Sequence, residues 1–198
     1  MPTHPNELRF TVTGLFFASS LVAVAPPQWL PGRGARCEHT SSEVCTAEPS
    51  FGCLAPNLNN LGLLLMDAER ASEGIPFVER AIGISTEAMG ESHWTVGFTT
   101  RSLALLHLAN GDKQPALELG NKALAAVSKA LGADHLRTDQ VRASLAKINM
   151  ASGNLVLAQE LAERTQTAFE EKMGQDSLGA KKNAKLLATI RARSSASK

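Results

Sequence analysis

The chain has no tyrosine, and Phe and Trp together make up only 5% of it. A surface that stacks nucleobases needs exposed rings, so that mode of nucleic-acid binding is not expected. Charge of one sign is also missing. Twenty Lys and Arg against nineteen Asp and Glu leave +1 at neutral pH, which supplies no global field toward nucleic acid or a membrane surface. Cysteine is scarce and confined to the first third, at Cys37, Cys45 and Cys53. An odd number does not make a self-contained disulfide framework. Catalytic signatures are absent: there is no H-E-x-x-H, no G-x-S-x-G and no phosphate loop. Gly32-Arg33-Gly34 lies among prolines, not between a strand and a helix. Neither an enzymatic activity nor a cofactor is expected.

The chain does have an apolar content of 43% in 198 residues, room for one domain plus a leader or tail. Residues 1–25 read as an apolar leader. Phe10 to Gly32 carries no charge, and Ala23-Val24-Ala25 fits a small-residue cleavage site. Against a signal peptide, Arg9 is the only cation before that core, Glu7 cancels it, and Pro26 comes directly after the cut. Thr11, Thr13, Ser19, Ser20 and Pro26-Pro27 make a poor spanning helix. The preferred expectation is a helix covering the open end of a downstream helical stack, in a cytoplasmic protein. Export, or membrane anchoring through residues 10–30, is the alternative. Residues 26–55 are a linker by composition, rich in Pro, Gly, Ser and Thr. Within it, Cys37, His39, Cys45 and Cys53 are the right types to hold zinc, but C-x-H-x5-C-x7-C lacks the close C-x2-C pair. No metal site is expected there, and the thiols are expected unpaired.

The rest of the chain repeats. Met89-Gly90, Leu131-Gly132 and Met173-Gly174 lie 42 residues apart, and His93 returns as His135 at the same step. Each unit reads as two amphipathic helices. Leu58, Leu61, Leu64 and Leu65 recur at helical spacing, and after the charged break 67–70 so do Ile75, Val78, Ala81, Ile82, Ser85 and Met89. The second unit turns at Asn110-Gly111-Asp112 and the third at Ser152-Gly153-Asn154. Columns agree in register: Leu61/Leu103/Leu145, Gly62/Ala104/Ala146 and Gly74/Ala116/Ala158. Small residues at two of these columns let paired helices approach closely, and no pair can bury its apolar face alone, so the pairs must stack. After Gly174, Asp176-Ser177 can cap one more helix. Its apolar stripe is Leu178, Lys182, Leu186, Leu187 and Ile190, and Lys181, Lys185, Arg191 and Arg193 form a solvated face. His93 and His135 fall in turns, where they are expected to satisfy backbone groups, and His107 is expected to be packed and hydrogen-bonded.

Leu61-Gly62, Leu103-Ala104 and Leu145-Ala146, each followed twelve residues later by Gly74, Ala116 or Ala158, resemble the tetratricopeptide repeat. The endings Gly90-Glu91-Ser92-His93 and Gly132-Ala133-Asp134-His135 resemble its kinesin-light-chain variety. The unit of about 34 residues is longer here by about twelve ångströms of helix. Leu65, His107 and Asn149 replace the aromatic usual on the first helix. The resemblance implies an all-α solenoid of three stacked antiparallel helix pairs in a right-handed superhelix, with repeats at 56–93, 94–135 and 136–177. A basic capping helix and tail would occupy 178–198.

It also implies a function: a protein–protein interaction scaffold, with a peptide or partner helix held in the concave groove that the first helix of each pair lines. Carrying over the groove-facing positions names Asn59, Leu63 and Met66, then Arg101, Leu105 and Leu108, then Ala143, Lys147 and Met150. The expected partner is an acidic peptide with an apolar anchor. The alternative is a regulatory tail of a larger signalling enzyme, a protein kinase or nucleoside triphosphatase. Self-association through an uncovered end of the stack is the structural alternative.

Overall fold

The computed structural model describes residues 51–196. The leader, most of the linker and the last two residues lie outside them, and with them the expectations placed on Cys37, His39 and Cys45. All seven described elements are α-helices: α1 (Phe51–Asp67), α2 (Ala71–Met89), α3 (Trp94–Asn110), α4 (Lys113–Leu131), α5 (Leu136–Ser152), α6 (Leu155–Met173) and α7 (Leu178–Ala196). The first helix of each pair has 17 residues and the second 19.

Turn chemistry sets these lengths. Gly111 and Gly153 end α3 and α5 with left-handed backbones, φ 96° and 89°, and their N–H groups donate to carbonyls of the last helical turn. That conformation costs glycine little. Glu69 holds the equivalent place after α1 at φ 61°, where an L side chain is disfavoured. At the other end of each repeat, His93 and His135 act as N-caps. Nδ1 of His135 accepts from the Arg137 N–H at 3.1 Å, and that of His93 from the Thr95 N–H. Ser177 Oγ does the same for Ala180 N–H at 3.2 Å.

Helix α1 begins at Phe51, so the linker ends five residues earlier than its composition suggested and Pro56 sits inside the helix. The lost hydrogen bond is outweighed by packing, since Ala55 and Leu58 bury against Ala81 and Ile84 of α2. The longer helix also carries Cys53, which is disulfide-bonded rather than an unpaired thiol.

Small residues sit where the paired helices meet. Ala104, Ala116, Ala146 and Ala158 are fully buried. In the first pair, a Cβ on Gly74 would lie 2.7 Å from the Gly62 carbonyl oxygen, so the backbones themselves touch. Between pairs, Val78, Leu103 and Leu106 form one cluster, and Ala123, Val127 and Val141 another. Leu61 and Leu64 remain exposed on α1, because no earlier repeat lies before them among the described residues.

The third repeat adds a buried ion cluster. Asp139, 1% exposed, pairs with Arg142 and, at 2.6 Å, with Lys172. Arg142 also donates to the Ala133 carbonyl at 2.9 Å and Lys172 to that of Asp134. This ties the α4–α5 turn to α6. Gly97, Thr100 and Ala130 hold the same places in the second repeat. At the helix turns, His107 meets Asp112 at 3.2 Å, and buried Asn149 accepts from Asn154 at 3.2 Å. In the second and third units the missing aromatic is thus replaced by a polar pair that joins the first helix to the start of the second. The Asp112 carboxyl is held below its ordinary range, first by the hydrogen bond from Asn110 and then by that from His107.

Helix α7 packs on α6 and touches α5, as α5 packs on α4 and touches α3. It starts at Leu178, one 42-residue step after Leu136 and two after Trp94. It therefore occupies the place of a first helix in a fourth unit. Its buried face is Ala180, Asn183, Leu187 and Ile190, so Leu187 and Ile190 of the expected stripe are buried while Leu178 and Lys182 are exposed. Leu178 is 67% exposed, and Asn183 Nδ2 donates to the Ala162 carbonyl at 2.8 Å and to Gln166 at 2.9 Å.

Candidate functional site

Helices α1, α3, α5 and α7 each touch the next in the series, whereas α2, α4 and α6 make no such contacts with one another. The row whose members approach each other lies on the inner side of the curve. On that row α3, α5 and α7 enclose a groove of ≈ 1030 Å³.

Of the residues carried over from the family pattern, five line this groove: Arg101, Leu105, Ala143, Lys147 and Met150. Asn59, Leu63 and Met66 on α1 lie outside it. Met66 packs on the Val78–Leu103 core and Leu108 on the Ala104–Ala116 core. Asn59 is half-buried with its Oδ1 unpartnered. The structure adds Phe98, Arg137, Lys182, Lys185 and Leu186. Of these, Lys185 is within reach of the register, one step beyond Ala143 and two beyond Arg101. The sequence pattern misses it because it marks α7 as a cap with a solvated basic face and carries no groove position onto that helix.

Five cations face the groove, Arg101, Arg137, Lys147, Lys182 and Lys185, and its lining includes no carboxylate. None of the five is ion-paired with a described acidic residue. The floor between them is apolar, with Leu105, Met150 and Leu186 partly buried. Arg101 is half-buried, its Nε has no hydrogen-bond partner, and its guanidinium lies 4.1 Å from the Phe98 ring centroid. Burial, and secondarily the like charge of Arg137, pulls its pKa down to about 10. The site has charge and shape for holding an anionic chain, and among the described residues no group of His, Cys, Asp and Glu is placed to hold a metal.

Stacked helix pairs with small residues at their crossings, a 42-residue step and an inner row lining a groove make an α-solenoid with the fold of tetratricopeptide-repeat structures. Residues 54–129 match the family model of the tetratricopeptide repeat. Among solved structures, two forms of a Podosopora anserina protein described as a kinesin light chain with nearly identical TPR-like repeats share the fold. The first is 21% identical with a TM-score of 0.62, covering 68% of this chain and 64% of that one. The second is 20% identical with a TM-score of 0.64, covering 72% and 67%. BtubC (BKLC) from P. vanneervenii is 18% identical with a TM-score of 0.62, covering 74% of this chain and 58% of its own. The chain thus spans about two thirds or less of the length of these structures, and the likeness is one of fold. No curated protein matches it. Solenoids of this repeat are in general scaffolds for protein–protein interaction and are typically not enzymes.

Proposed function

We propose that the chain binds a segment of a partner protein in the groove between α3, α5 and α7, and that the segment carries acidic side chains around an apolar anchor. The observation that carries this is the five unpaired cations around an apolar floor with no carboxylate among the lining residues. Unpaired like charges repel one another across the groove, and an acidic segment removes that repulsion on binding. Leu105, Met150 and Leu186 supply the apolar contact, with the methionine able to adapt its shape. A regulatory tail of a larger signalling enzyme would use the same groove, and no observation favours it over a scaffold.

The test uses fluorescein-labelled peptides with a fixed central leucine flanked by randomised Asp, Glu, Gly and Ser. Lys147→Glu with Lys185→Glu reverses two exposed groove charges. Arg80→Glu with Arg164→Glu makes the same change on the outer helices. The groove pair is expected to weaken binding by about tenfold or more, and the outer pair to leave it nearly unchanged. Equal losses in both would remove the groove assignment.

A further inference from the structure

Two guanidiniums share one ring at the α3–α5 end of the groove. The Arg101 guanidinium carbon lies 4.1 Å from the Phe98 centroid and that of Arg137 lies 4.8 Å from it. Their separation cannot exceed those two lengths laid end to end. Trp94, edge-on to Phe98 with centroids 6.2 Å apart, gives Arg137 a second ring at 5.4 Å. Neither arginine is ion-paired with a described carboxylate. The rings stabilise each cation in part, but they leave the repulsion between the two unanswered and the buried Nε of Arg101 without an acceptor.

Charge and geometry together select the chemistry of the occupant. A side-chain carboxylate carries one charge, which leaves one of the two positive charges uncompensated. A phosphate ester carries nearly two charges and three acceptor oxygens, enough for the accessible forks of both arginines. Arginine, not lysine, stands at both places, and its planar fork suits phosphate. Lys147 and Lys182, further along the groove, remain for flanking acidic residues.

We propose that Arg101 and Arg137, braced on Phe98 and Trp94, form a receptor for a phosphorylated serine or threonine in the partner segment. The inference rests on the groove function proposed above and names the residue that anchors the segment. A phosphorylated lipid headgroup shares the anion but is the less favoured source. The pair lies on the concave row beside an apolar channel shaped for a chain, not on an outer face that could lie flat on a bilayer.

The experiment measures fluorescence polarisation of the full chain with three labelled peptide pools. They are identical except for a fixed central phosphoserine, glutamate or serine, with Asp, Glu, Leu and Gly randomised around it. The native protein is expected to prefer the phosphoserine pool over the glutamate pool by about tenfold or more. Arg137→Gln removes an exposed side chain at the start of α5 and should abolish that preference without changing the helical circular dichroism signal. Arg101→Lys keeps the charge, loses the fork and should reduce the preference. Equal affinity for the phosphoserine and glutamate pools would overturn this inference while leaving the acidic-segment function standing. A preference that survives Arg137→Gln would place the phosphate elsewhere and overturn it too. Binding to phosphatidylinositol-phosphate vesicles with no preference among the peptides would transfer the site to a lipid. Failure of all three pools to bind would remove both the inference and the groove function.

Discussion

His93 and His135 serve in a place that Ser, Thr, Asp or Asn more often fill. Each presents Nδ1 to a backbone N–H in the first turn of the helix after it, and Ser177 repeats the arrangement with a hydroxyl at α7. The residue needed at this place is an acceptor two or three residues ahead of the free N–H groups, and nothing in the geometry asks for an acid–base role. His135→Ala should therefore lower stability by about 1 kcal/mol in urea denaturation, and His135→Ser should recover most of the loss. A serine variant as unstable as the alanine variant would show that the ring contributes by packing instead. The same scale explains why the groove arginines escape simple classification. Arg101 could be placed on the inner face by its register, but its half-burial against Phe98 depends on the rotamers of both residues and of Arg137.

Helix pairing turns on how near two backbones can come. Gly62 and Gly74 stand where the later repeats have alanine, and the first pair has closed until a Cβ on Gly74 would meet the Gly62 carbonyl at 2.7 Å and Leu106 at 2.8 Å. Alanine is the better helix former by about 1 kcal/mol, yet here the clash wins. Gly74→Ala should destabilise by about 1–3 kcal/mol. Gly83, on the same helix, has open space around its Cβ position, so Gly83→Ala should stabilise by up to about 1 kcal/mol. Opposite shifts of the two urea midpoints are expected; shifts in the same direction would show that the close approach is not limiting. At the third pair the coupling is ionic as well. Asp139, Arg142 and Lys172 draw the inter-repeat turn onto α6, a device that the second repeat lacks.

Over the whole solenoid, each helix touches only its near neighbours, and α1 has no contact with α5, α6 or α7. Stability in such an array is a sum of local terms, so opening should begin at the ends. Amide hydrogen exchange read by mass spectrometry should find the slowest exchange in α3, α4 and α5 and progressively faster exchange toward α1 and α7. Uniform protection across the described helices would mean that the stack unfolds as one unit.

Most of this architecture is local or periodic, and so it is readable from the chain. The 42-residue step, the helix–turn–helix units, the glycine endings and the small-residue columns all depend on residues close in sequence or in constant register, because a helix repeats its faces every 3.6 residues. The inner row comes from the same register, which is why Arg101, Leu105, Ala143, Lys147 and Met150 meet in one groove. The tertiary structure alone decided the set of contacts between side chains on different helices. It extended α1 back through Pro56, because Ala55 and Leu58 find a core on α2. It set α7 as a further inner helix, turning Lys182 and Leu186 into the groove and burying Asn183. It also stacked Arg101 and Arg137 on one ring. These outcomes depend on how close the helices lie and which rotamers fit between them, and a one-dimensional pattern of residue types carries neither quantity.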